Sequence, residues 1–241
     1  INLGLVHIKD SIIRANHVEN QKNSFILSWV PSHTYIENSE IHGLGSSTKY
    51  GRGLQVSLNK NSPFKGKGYL KLVNSKVSDN YVGVSAENSI IEISGSEFLN
   101  NELNAISLKN TSLYFSNNKV MGTKVGDGLK IQVGASPVGE QFYIADSLFG
   151  QNNGSGLVLK AKESNFPSRI FIKNNSFFMN HHNGVFVDGL TRMEVISNKF
   201  ALNNVNGLEF FSQFKSQLIL PPAFLYDNYF YENKQSAISS N

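Results

Sequence analysis

Apolar and polar positions alternate along this chain in runs of about four to six residues, and small or amide residues break each run. One complete unit spans residues 184–206, GVFVDGLTRMEVISNKFALNNVN. Gly184 opens it, Val185 and Val187 alternate with Phe186 and Asp188, and a turn leads to a second run carrying Met193 and Val195. A polar corner at Ser197 and Asn198 then leads to Phe200 and Asn203, and Gly207 begins the unit again. A period of two predicts strands whose inward and outward faces are fixed by the alternation.

The corner recurs nine times as an aliphatic residue or Phe, any residue, a small or amide residue, Ser or Asn, any residue, then Ile, Val or Phe. Its fourth members are Ser11, Ser39, Ser75, Ser96, Asn118, Ser147, Asn175, Asn198 and Asn228, at steps that range from 21 to 36 residues. Steps of unequal length rule out a solenoid of identical units and predict coils whose turns vary. The pattern therefore predicts an all-β chain wound as a single-stranded right-handed parallel β-helix of about nine coils. One coil cannot bury its own apolar face, so coils stack at a spacing of about 4.8 Å and their inward residues form columns. Asn suits the corners because it tolerates left-handed backbone and its amide can bond the same amide one coil away. A helical repeat is excluded, since no window carries the i, i+3, i+4, i+7 apolar pattern.

Numbering each opening strand from its first small residue, the second and fourth positions are apolar, as in Ile106/Leu108, Leu129/Ile131 and Val185/Val187, and are expected to point inward. The third and fifth positions then face out. The fifth-position column reads Trp29, Ser57, Glu87, Lys109, Gln132, Lys160, Asp188, Phe211, polar in its middle and aromatic at both ends. Any chemistry is expected on this face.

Composition narrows the picture. Charged residues make up 17% of the 241, below the usual quarter or so, with Asn and Ser in their place, and the formal charge of +4 modestly favours an anionic partner. The absence of Cys excludes disulfides and thiolate metal sites. No apolar run of 18 residues occurs, so membrane insertion is not expected, nor is a nucleic-acid partner. The repeat is continuous, which predicts one domain over 1–241. Ile1 begins almost inside a strand and 237–241 begins a coil without finishing it, so one or both end caps are expected to be missing.

Several segments resemble the periplasmic mannuronan C5-epimerases of alginate-producing bacteria: Ser28-Trp29 followed by Thr34-Tyr35-Ile36, VMGTK at 120–124, SGLVL at 155–159, and Asn180-His181 with Gly184. The resemblance covers roughly Phe25 to Phe211. It implies a pectate-lyase-like solenoid, a polyuronate such as alginate bound in a groove along the outer face, a periplasmic or secreted location, no cofactor, and other exopolysaccharide-biosynthesis proteins as partners. The chain departs from the family at one strand. Where the family carries Asp-Pro-His-Asp after Tyr-Gly, this sequence has Ser107, Leu108, Lys109 and Asn110 after Asn104-Ala105. The family's carboxylate-neutralising Arg falls near Val133, with no Arg nearby.

Removing the C5 proton of a uronate requires a base and a positive group on the carboxylate. Lys109 takes the position of the family's His and is the candidate base, while its neighbour Glu87 favours the plainer reading of a cross-strand ion pair. Arg52, Lys130, Lys160, Lys162 and the loop lysines Lys60, Lys65 and Lys67 are either a basic track for a polyanion or ordinary solubilising charges. Gln132 and Asp188 complete the polar column, and Trp29 and Phe211 are candidate sugar platforms or packing residues. The pair His181-His182 is read as a solvated turn, with no carboxylate cluster to complete a metal site. The first functional reading is a degenerate relative of the epimerases that binds an anionic polysaccharide. The alternative is an active C5-epimerase or β-eliminating lyase with Lys109 as base.

Overall fold

A computed structural model describes residues 4–15, 26–29, 31–46, 53–57, 66–133, 140–161, 168–189, 192–211 and 223–240, with Leu27 and Trp29 described by their backbone. Among the described residues there are 27 strands and no helix. They form three parallel sheets of nine strands each, and every sheet takes one strand from each coil. In one coil the chain runs from the middle sheet (Arg192–Ile196) through the short sheet (Lys199–Ala201) to the opening sheet (Asn206–Phe211).

The alternation in the sequence sets the burial. Along Arg192–Ile196 the pattern is exposed, buried, intermediate, buried, intermediate, so Met193 and Val195 enter the core. Register carries each inward residue onto its counterpart: Leu129 pairs with Leu157, and Leu157 with Val185. Phe149, Phe177, Phe200 and Phe230 stack in one such column, with ring centroids 4.9, 5.2 and 4.8 Å apart, which matches the spacing of parallel strands.

Corners turn on left-handed residues. Asn38, Asn74, Asn117, Asp146, Asn174, Ser197 and Asp227 all have φ near +50° just before the corner position that the sequence pattern identifies. That next residue then reaches across to the neighbouring coil. The Ser75 hydroxyl accepts from the Ser39 backbone N–H at 3.1 Å, and the Asn175 amide donates to Asn198 Oδ1 at 3.1 Å and to the Ile144 carbonyl at 2.9 Å. A second buried ladder, not counted from the sequence, follows the short sheet: Asn152 donates to Asn180, Asn180 to Asn203 and Asn203 to Asn233, at 2.9, 2.9 and 2.8 Å. Both ladders satisfy backbone groups that the turning chain leaves unpaired inside the stack.

The small residue that opens each unit has a steric cause. A Cβ on Gly184 would stand 2.6 Å from the Gly207 carbonyl oxygen, because the backbone of the next coil lies directly against it. One coil departs from the apolar rule: Ser28 aligns with Val56 and points inward, and its buried hydroxyl bonds those of Ser32 and, at 2.7 Å, Thr34.

Candidate functional site on the opening sheet

Side chains at the third and fifth positions of the opening strands share the outer face, and register lines them up coil over coil. Lys109 pairs with Glu87 on one side and Gln132 on the other, Gln132 with Lys160, and Lys160 with Asp188. Beside this column, Ser85, Ser107, Lys130 and Val158 follow one another. The expected order of the outer face is therefore the observed one.

Four of the expected site residues, Glu87, Lys109, Lys130 and Gln132, line one hollow of about 280 Å³ that four coils contribute to. Ser57, Ser85 and Ser107 line the same hollow; the alternation places them on the outer face, but nothing in the sequence marks them as site residues. The signal was present as a run of small hydroxyl residues in the two outward columns, where short side chains leave room for a ligand.

Charges in the hollow are unequal. The Lys109 ammonium donates to Glu87 Oε1 at 2.7 Å, with both side chains partly exposed. Two coils on, Lys160 Nζ stands 3.8 Å from Asp188 Oδ2. Lys130 is half-buried and makes no ion pair among the described residues. It is thus the cation of the hollow that no described carboxylate pairs with. Ser107 is its register neighbour, and Ser85, Ser57 and Gln132 line the same hollow on its own and the preceding coils, which is a set of groups suited to one carboxylate and several sugar hydroxyls.

The remaining candidates divide plainly. Arg52, Lys60, Lys65 and Lys162 lie outside the described residues, as does the side chain of Trp29, whose backbone pairs with Ser57 in the expected column. Lys67 is exposed, and Phe211 stacks on Phe186 with centroids 6.3 Å apart farther along the same face. His181 and His182 are exposed in a turn and do not line the hollow. Among the described residues no group of His, Asp and Glu is placed to hold a metal ion.

Three parallel sheets wound in one direction, with amide ladders at the corners and a polar hollow on one outer face, define a β-helix. The family model for the right handed beta helix region matches residues 104–241, and the chain belongs to that family. Among solved structures, a double mutant of the periplasmic alginate epimerase AlgG superposes with a TM-score of 0.83 at 19% identity, covering 99% of this chain and 57% of that one. A single mutant of AlgG gives 0.67 at 16% identity, covering 98% and 68%, and AlgG without mutation 0.61 at 16%, covering 90% and 60%. The chain thus spans about three fifths of the length of these structures, and at such identity the likeness is one of fold. No curated protein matches the sequence.

Proposed function

We propose that this protein binds an anionic polysaccharide, alginate or a related polyuronate, along the outer face of its opening sheet, and that it does so without the epimerases' chemistry. The observation that carries this reading is the serine-lined hollow in which Lys130 makes no ion pair with a described residue while Lys109 is held by Glu87. A general base needs a lone pair directed at the proton it takes. The Lys109 nitrogen instead donates to a carboxylate, and no Asp-Pro-His-Asp strand stands in its place. A periplasmic or secreted location, with exopolysaccharide-biosynthesis proteins as neighbours, belongs to the same proposal and is supported by the fold shared with a periplasmic alginate epimerase.

A second reading, an active C5-epimerase or lyase with Lys109 as base and Lys130 on the carboxylate, is favoured by one fact: both lysines line the same hollow. Calorimetric titration with polymannuronate oligomers tests the first reading. Lys130→Gln is expected to weaken binding about fivefold, the worth of one partly screened charge contact, and the wild-type affinity to fall as salt rises. Affinity indifferent to both would overturn the groove.

A further inference from the structure

We propose that the outer face of the middle sheet carries a second, independent surface for the same class of polymer, on Arg169, Lys173 and Arg192 beside the ring column Tyr114, Tyr143 and Phe171. The polymer class rests on the function proposed above; the surface rests on its own observations.

Ion pairs between the described residues all run between adjacent coils and join opposite charges: His7 with Glu37, Lys71 with Glu92, Lys109 with Glu87, Lys119 with Glu97, Lys124 with Glu102 and Lys160 with Asp188. The strands Arg169–Lys173 and Arg192–Ile196 break that rule. Arg169 and Arg192 stand directly opposite one another in register, both exposed, and Lys173 is exposed on the same face. None of the three is in an ion pair with another described residue, and Glu194 is the one carboxylate on these two strands. Like charges placed opposite across strands cost stability, and Glu194, two residues beyond Arg192 on the same face, offsets only part of the three positive charges, so an anion joining them is favoured.

The adjoining column supplies the other half of a glycan surface. Tyr114 is 49% exposed and its ring stacks on Tyr143 at 5.1 Å and 9°, while Phe171 follows Tyr143 in register. The stacked rings of Tyr114 and Tyr143 turn their edges outward and carry two hydroxyls, which offer hydrogen bonds to sugar hydroxyls along the helix axis. Two arginines on strands about 4.8 Å apart can direct their guanidinium forks at a single carboxylate, and the three rings beside them, bounded by Glu92 and Glu194 in the same column, offer a short surface for the adjoining sugars. An acidic peptide fits less well. Its same-face side chains repeat about every 6.7 Å, out of step with coils spaced about 4.8 Å.

Calorimetric titration of the whole chain with polymannuronate hexamers tests the inference. Wild type is expected to bind two hexamers. Arg169→Gln/Arg192→Gln is expected to retain one, with affinity at the other site down about tenfold or more. Lys130→Gln should weaken the groove site and leave the arginine site intact. An unchanged isotherm for the arginine variant overturns this inference and leaves the groove standing. Loss confined to the arginine variant, with Lys130→Gln silent, upholds it and removes the groove. Polyglutamate that displaces hexamer from the arginine site at equal concentration makes the surface one for acidic peptides and overturns it; no binding by wild type overturns both. The arginines are exposed, so an unchanged melting temperature is the expected sign that the variant folds.

Discussion

Lys109 and Glu87 stand opposite one another on adjacent coils, with Lys109 Nζ donating to Glu87 Oε1 at 2.7 Å. The pair is half-exposed, so its worth to the fold is small, at most about 1 kcal/mol. Its worth to the groove is larger, because it cancels one of the charges a polyanion would meet. Glu87→Gln is therefore expected to raise affinity for polymannuronate about threefold to fivefold at low salt while shifting stability by under about 1 kcal/mol. Titration at two salt concentrations checks both: a gain that persists at high salt contradicts the electrostatic account.

Asn180 is fully buried, donates to Asn203 Oδ1 and the Phe149 carbonyl, and accepts from the Asn152 backbone and amide. Asn180→Ala strands partners on two neighbouring coils and is expected to cost about 3 kcal/mol. The exposed Asn204, one position beyond the same ladder, is expected to tolerate Ala within about 0.5 kcal/mol. Urea unfolding of the two variants makes the comparison.

Phe177 lies between Phe149 and Phe200 in the ring column, wholly buried. Removing its ring leaves a cavity that the rigid coil spacing prevents from closing. Phe177→Ala is expected to cost about 3–5 kcal/mol and Phe177→Leu markedly less, as read from thermal melts.

Left-handed corners after the short sheet hold Asp79 and Asn100 in early coils but Met179 (φ +52°) and Leu202 (φ +58°) later, both partly exposed. A long side chain gains nothing from left-handed backbone that Asn does not tolerate better. Leu202→Asn is expected to raise stability by about 0.5–1 kcal/mol, measured by urea unfolding; a loss of that size would mean that the leucine's remaining contacts outweigh the strain.

Much of the architecture was legible because its causes are local. The polar corners at Ser39, Asn118 and Asn198 set the coil number, and alternation at Leu129/Ile131 or Val185/Val187 set which side faces in, so the outward order Glu87, Lys109, Gln132, Lys160, Asp188 followed directly. Less was legible where side-chain reach decides. Register allows Lys109 to lean toward Glu87 or Gln132, and the distance alone shows which. The hollow under Lys130 depends on three serines being short at once, and the inward Ser28 is tolerated only because Ser32 and Thr34 meet its hydroxyl. The facing arginines lie far apart in sequence, and only alignment of the middle sheet's outward positions coil by coil brings Arg169 and Arg192 to the same place in their units.

Polyuronate binding in the groove without the epimerases' chemistry is tested most directly by incubation of wild type and Lys109→Ala with polymannuronate in D2O. Deuterium at C5 is followed by NMR and unsaturated uronate by ultraviolet absorbance, with binding measured in parallel. The account predicts binding by both proteins and neither signal from either. Deuterium entry or absorbance that appears with wild type and vanishes with Lys109→Ala would contradict it and make Lys109 a catalytic base.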